Sequence, residues 1–253
     1  MKFKTVHFND VSVGVIPRVV GTVTSIKTLE GLNGKKEAAC DLVEARMDVI
    51  GLATKHWLDV CHSVESSGLP VIMTLRFASE GGQWTGSDEE RLKAFKLALQ
   101  FLAAVDVELS SPVATDVVAA AKQHKKPAIV SYHNFDCTPS LPQLKDVILR
   151  AESLGDVVVK ISTMVNSSED IRILHELMDS ERTAPLCVIG MGAKGTETRI
   201  SLPCSGSCLT YGFLDEPAAP GQLAAAAIVK QLRQRLPAYN HDVIARKEIL
   251  ESA

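Results

Sequence analysis

No stretch of this sequence stays apolar for the roughly 18 residues that a membrane span needs. No basic excess marks a nucleic-acid surface: 27 lysines and arginines stand against 30 acidic residues, for a formal charge of −3. A basic amphipathic helix suited to a membrane surface is also missing, so neither nucleic acid nor membrane is expected as a partner. An anionic substrate stays open, because a few local arginines bind an anion without setting the net charge. The N-terminal run MKFKTVHFNDVSVGVIPR has no continuous apolar core, since Asp10, Gly14 and Pro17 interrupt it. It reads as no signal peptide, and the expected location is cytoplasmic.

Several chemical signatures are missing too. There is no HExxH, no P-loop and no GxGxxG after a strand. The six cysteines, at 40, 61, 137, 187, 204 and 208, read in a chain of 253 residues as reduced thiols and not as a disulfide framework. Cys204 and Cys208 are the closest pair, but no His or Cys cluster completes a zinc set around them. No metal is therefore expected. Cys137, four residues past His133, reads as a bystander thiol. Low-complexity segments and linkers are absent as well, so residues 1–253 are read as one domain.

What is present is a regular alternation of short β-branched runs with longer helical stretches. The strands expected are Val19–Thr24, Leu42–Asp48, Pro70–Arg76, Ala104–Leu109, Pro127–His133, Asp156–Ser162, Pro185–Met191 and Cys208–Gly212. Helix signals lie between them. Ser87 with Glu90, and Ser140 with Gln143, have the spacing of capping boxes. Ser167 starts another helix, and Pro220-Gly221 is read as opening the last one. The polar tail after Pro237 is read as helical or frayed. Strand–helix alternation implies a parallel sheet, and eight such units in this length suit a (β/α)8 TIM barrel; an open doubly wound sheet is the alternative.

The polar residues then fall in a pattern. Residues two apart on a strand share a face. On that basis Glu44, Arg46 and Asp48 line up, as do Thr74 with Arg76, Asp106 with Glu108, Ser131 with His133, and Lys160 with Ser162. Five strands thus carry charged or hydrogen-bonding groups on one face near their C-terminal ends, where a barrel opens its active site.

Lys160 follows Val157-Val158-Val159 in a run that should be buried. Burial disfavours a lone ammonium, which frees the amine to attack a carbonyl and form a Schiff base. Pairing with a carboxylate such as Glu44 or Glu108 is the competing reading, and the strand alone does not separate the two. His133 ends the preceding strand, close enough to shuttle protons for that lysine. Glu80, in a loop with glycines at 81, 82 and 86 that reads as flexible, is placed to orient His133. Arg46, Arg76 and Arg199 together could clamp a carboxylate.

These residues stand in segments that resemble type I 3-dehydroquinate dehydratase, the Schiff-base enzyme of the shikimate pathway. The segments, from about Val19 to Leu236, are VEARMD, TLRFASEGG, DVELS, SYHNF, VKIST, GMGAKGTETR, GSCLTYG and AAPGQ, with 27 residues from His133 to Lys160. The resemblance implies a TIM barrel acting on 3-dehydroquinate with no cofactor, and homodimers are common in the family. It implies that Lys160 forms the imine at C3, that His133 is general base at C2 and general acid at the C1 hydroxyl, and that Glu80 tunes it. Glu44, Arg46 and Arg76 would hold substrate hydroxyls and ring, Met191 would pack against it, Arg199 would bind its carboxylate, and Gln222 would close a lid. The family's lid usually reads SAPGQ, with a serine on the substrate; here Ala218 stands in that place. A Schiff-base aldolase on the same barrel, or a barrel with no catalytic role, are the competing readings of the residues themselves.

Overall fold

The structure, a computed structural model, describes residues 4–32, 39–53 and 56–252. It contains all eight expected strands: β3 (Arg18–Val23), β4 (Leu42–Arg46), β5 (Val71–Thr74), β6 (Ala104–Glu108), β7 (Ala128–Asn134), β8 (Val157–Met164), β9 (Leu186–Met191) and β10 (Leu209–Phe213). They form one eight-stranded sheet in the order β10-β3-β4-β5-β6-β7-β8-β9, each ladder parallel. The two ends of that order meet: the Cys208 N–H donates to the Leu186 carbonyl at 2.9 Å, and the Val188 N–H donates to Ser207 Oγ at 3.0 Å. The result is the expected TIM barrel.

Helices α1 (Ile26–Gly31), α2 (Met47–Ile50), α3 (Trp57–Ser66), α4 (Asp88–Phe101), α5 (Ala114–Gln123), α6 (Leu141–Glu152), α7 (Ser168–Met178), α8 (Thr198–Cys204) and α9 (Ala225–Arg235) follow the strands. Their apolar stripes meet the outward strand residues. Phe95, Leu99, Val117, Leu144 and Leu174 share one core with Val43, Val105, Val130 and Val159. Each such side chain, fully buried, contributes about 1.5–3 kcal/mol. The sequence caps hold these helices in place. Ser87 and Glu90 close a reciprocal capping box, Gln143 Oε1 accepts from the Ser140 N–H at 3.0 Å, and Ser167 caps α7 with Asp170.

The inward residues divide into layers. At the N-terminal end Val20, Leu42, Ile72, Ala104, Ile129, Val158 and Leu209 make an apolar floor. A two-stranded hairpin absent from the sequence expectation, β1 (Val6–Phe8) with β2 (Val11–Val13), seals it with Phe8, Val11 and Val13. The last helix, α10 (Pro237–Ser252), is tied to the chain just before β4 by Tyr239, whose hydroxyl donates to Asp41 Oδ2 at 2.9 Å. Toward the C-terminal ends the inward positions turn polar, and there the site forms.

Two local expectations need correction. The strand expected to run to Asp48 ends at Arg46, and Asp48 lies in α2, folded back to bind Arg46. The last sheet-covering helix starts at Ala225, not at Pro220-Gly221. Gly221 sits at φ 70°, and a Cβ there would come within 2.3 Å of the Gly192 carbonyl oxygen. The turn is docked against the loop after β9 and so cannot begin a helix.

Candidate active site

At the C-terminal mouth a cavity is lined by Glu44, Arg46, Arg76, Glu80, His133, Lys160, Met191, Arg199 and Gln222, together with Thr22, Gly81, Phe135, Ser162, Ile189, Tyr211, Ala218 and Ala219. Every residue singled out from the sequence as a site candidate faces this one space. For the residues on strands, Glu44, Arg46, His133, Lys160 and Met191, strand parity is the cause. In the β7–β8 register Ser131 pairs with Lys160 and His133 with Ser162, so His133 stands one inward layer closer to the mouth than the lysine.

Lys160 is buried and paired. Its Nζ donates to Asp106 Oδ2 at 2.9 Å and to Glu44 Oε1 at 3.3 Å. The competing reading of the lysine, pairing with a carboxylate, is what the structure shows, and the paired lysine also lines the cavity. Glu108 is not its partner. That carboxylate binds Arg91 and accepts from the Phe77 N–H at 2.9 Å. Glu44 is itself held by Thr22 Oγ1 and Thr74 Oγ1, each at 3.1 Å. Burial pushes the Asp106 carboxyl up, but Arg76, Lys160 and His133 outweigh it and hold the group well below the usual carboxylate range.

His133 is oriented by Glu80. One carboxylate oxygen, Oε2, lies 3.0 Å from ring Nδ1 and accepts from the His133 backbone N–H at 3.0 Å. The other, Oε1, accepts from Ser110 Oγ at 2.5 Å. Burial, then the positive charges of Arg76 and Lys160, hold the imidazole well below its ordinary value near 6.5. A neutral ring that gives its Nδ1 hydrogen to Glu80 keeps Nε2 as a free base. Burial also pushes the Glu80 carboxyl up, partly offset by Ser110 and Arg76.

The glycines of the Glu80 loop do something more specific than loosen it. A Cβ on Gly81, which sits at φ 76°, would meet the Phe135 ring at 2.3 Å, and one on Gly82 would meet the Arg76 carbonyl oxygen at 2.0 Å. They let the loop close tightly over Arg76 and the cavity wall.

The three arginines do not form one clamp in equal measure. Arg46 makes a bidentate pair with Asp48 at 2.9 and 2.8 Å. Arg76 binds Asp106 at 2.9 Å and Ser131 at 2.5 Å, with Glu108 at 3.4 Å. Arg199 differs. Its Nε and Nη1 donate only to carbonyls, those of Gly221 at 3.1 Å and Tyr211 at 3.0 Å, and its buried Nη2 has no hydrogen-bond partner among the described residues. Burial lowers its pKa to about 10, with no carboxylate to oppose the effect. A buried guanidinium with an unpartnered N–H has the chemistry to hydrogen-bond an anion. Gln222 sits on the lid turn, its Nε2 donating to Thr22 Oγ1 at 3.2 Å and its Oε1 accepting from the Ala218 N–H at 2.7 Å.

Four contributors escaped sequence reasoning: Thr22, Phe135, Tyr211 and Ser110. Thr22 shares the parity signal but is a single hydroxyl at a strand end. Tyr211 and Phe135 read as core, and Ser110 lies past its strand.

An amine, a free imidazole nitrogen and an unsatisfied guanidinium around one cavity can condense with a carbonyl, move a proton beside it and hold an anion. Known proteins resemble the chain in sequence and in fold. The family model for type I 3-dehydroquinase matches residues 18–237. The chain is 35% identical over 219 residues to the 3-dehydroquinate dehydratase of Methanothrix thermoacetophila, covering 86% of this chain and 91% of that one. It is 33% identical over 226 residues to the enzyme of the same name from Methanocella arvoryzae, covering 86% and 96%. The crystal structure of 3-dehydroquinate dehydratase from Geobacillus kaustophilus shares the fold at a TM-score of 0.82 and 24% identity, covering 90% of this chain and 95% of that one.

Proposed function

This chain belongs to the type I 3-dehydroquinase family, and on that footing we propose that it dehydrates 3-dehydroquinate to 3-dehydroshikimate, a step of the shikimate pathway, through an imine on Lys160. The observation that carries the proposal is the convergence on one cavity of Lys160, His133 and Arg199, whose buried Nη2 has no hydrogen-bond partner among the described residues.

The chemistry follows from these groups. Arg199 takes the substrate carboxylate on its free N–H and so fixes the ring above the lysine. Lys160 passes one ammonium proton to His133 Nε2 and its amine adds to the C3 ketone; the carbinolamine hydroxyl then takes that proton back and leaves as water, giving a protonated imine. That cation is an electron sink, which makes the C2 hydrogen acidic. His133 Nε2 removes the C2 proton while Glu80 holds Nδ1–H, and the electrons move into the C2–C3 bond to give an enamine. The enamine expels the C1 hydroxyl, which takes the proton back from His133 and leaves as water. Hydrolysis of the remaining imine frees the product and restores the lysine. Glu44, Arg46 and Arg76 meet the substrate hydroxyls and ring, Met191 packs against the ring, and Gln222 closes the lid.

The test is direct. Purified protein mixed with 3-dehydroquinate is expected to develop the ultraviolet absorbance of a conjugated enone carboxylate. No rise in absorbance at any enzyme concentration contradicts the proposed activity.

A further inference from the structure

Tyr211 projects inward from β10, is buried, and lies with its ring face under the lysine: Lys160 Nζ is 3.9 Å from the ring centroid. Its hydroxyl has no hydrogen-bond partner among the described residues. Whatever keeps a tyrosine here, a hydrogen bond from that hydroxyl to a neighbouring side chain is not it. The ring face remains.

The free lysine has three N–H bonds, enough to reach Asp106 and Glu44 at once. Condensation changes that inventory. The ammonium and the ketone give a protonated imine and one water, so two of the three hydrogens leave with the water and one stays on nitrogen. A single N–H cannot serve two carboxylates as before. The attraction between the cation and the ring needs no hydrogen, because it arises from the negative face of the π-system. It therefore persists unchanged in kind when the hydrogen bonds are halved. Nor can a ring remove the remaining proton, as a carboxylate can, and without that proton the imine stops drawing electrons.

We propose that Tyr211 is a positioning residue for the reaction, its ring face holding the positive charge at Lys160 Nζ as the ammonium becomes the protonated imine. The proposal rests on the reading of Lys160 as the imine-forming residue. It predicts that the ring's contribution is greater in the intermediate than in the free enzyme, and so appears in turnover and in the amount of imine present.

The experiment measures turnover and the yield of borohydride-reduced adduct on Lys160. The proteins compared are the unsubstituted enzyme, Tyr211→Phe, the same substitution made with mono-, di- and trifluorinated phenylalanine, and Tyr211→Leu. Fluorination keeps the ring's shape, and with it the fold, while draining its negative face. With Tyr211→Phe as the reference, both readouts are expected to fall stepwise with each fluorine, to about tenfold at three, and at least as far in Tyr211→Leu. A flat fluorine series overturns the proposal. So does a loss already complete in Tyr211→Phe, which would make the hydroxyl the working group. An adduct on Lys160 of the unsubstituted enzyme together with a flat series removes only the role of Tyr211. An unsubstituted enzyme with no adduct on Lys160 removes the imine reading, and the role of Tyr211 with it.

Discussion

Glu80 holds His133 at two points through a single oxygen: Oε2 lies 3.0 Å from the ring nitrogen Nδ1 and accepts the residue's own backbone N–H at 3.0 Å. Ring orientation and backbone position are thereby set together, and the Nε2 edge is left facing the cavity. Glu80→Gln keeps the shape of this contact but removes the negative charge that fixes the tautomer. Turnover is expected to fall by about tenfold to a hundredfold with KM changed only a few-fold, as a steady-state comparison will show.

The lowered pKa of His133 has a consequence for stability. Its folded value lies below its unfolded one, so the unfolded chain binds more protons once the pH drops under about 6.5. Stability from this group is complete above that pH and is lost as the pH falls from there toward the folded value, at up to about 1.4 kcal/mol per pH unit. Denaturant unfolding of the protein and of His133→Asn across this window is expected to show a shallower slope in the variant.

Arg199 is a buried cation with no carboxylate partner among the described residues, and its replacement should separate binding from folding. Arg199→Met is expected to raise KM by about tenfold or more, the worth of a charged hydrogen bond, while leaving Tm unchanged or higher. A cyclic hydroxycarboxylate that cannot form an imine is expected to raise Tm of the parent and not of the variant. Thermal melts with and without that ligand check both statements.

The lid offers a gain instead of a loss. Ala218 lines the cavity, and its N–H is held by Gln222 Oε1 at 2.7 Å, so the backbone of the lid is already placed. Ala218→Ser puts a hydroxyl on that placed backbone. KM is expected to fall by about twofold to tenfold with turnover nearly constant, which a substrate titration will reveal.

Much of the site was readable because barrel geometry turns strand parity into location. Glu44, Arg46, Lys160 and His133 lie where a period of two puts them, and no apolar core tolerates so many charges unless they line a mouth. Arg199 and Gln222 lie off the strands, beyond the reach of periodicity: Arg199 stood out as a third arginine that could join a carboxylate clamp, and Gln222 was reached through the family resemblance alone. Asp48 broke the pattern because its strand ends two residues earlier, where the chain turns into α2. The N-terminal hairpin escaped notice because strands of three residues, Val6–Phe8 and Val11–Val13, are too short to display alternation. Tyr211 escaped for a different reason. In CLTYG an aromatic residue among apolar neighbours has the pattern of core packing, and only the approach of Lys160 from two strands away reveals its other face.

The account stands or falls on Lys160. Protein treated with 3-dehydroquinate and borohydride, digested and mapped by mass spectrometry, is expected to carry one reduced adduct, on the peptide containing Lys160, and Lys160→Ala is expected to lose both adduct and turnover. An adduct on any other residue, no adduct at all, or a Lys160→Ala protein with near-normal turnover contradicts it.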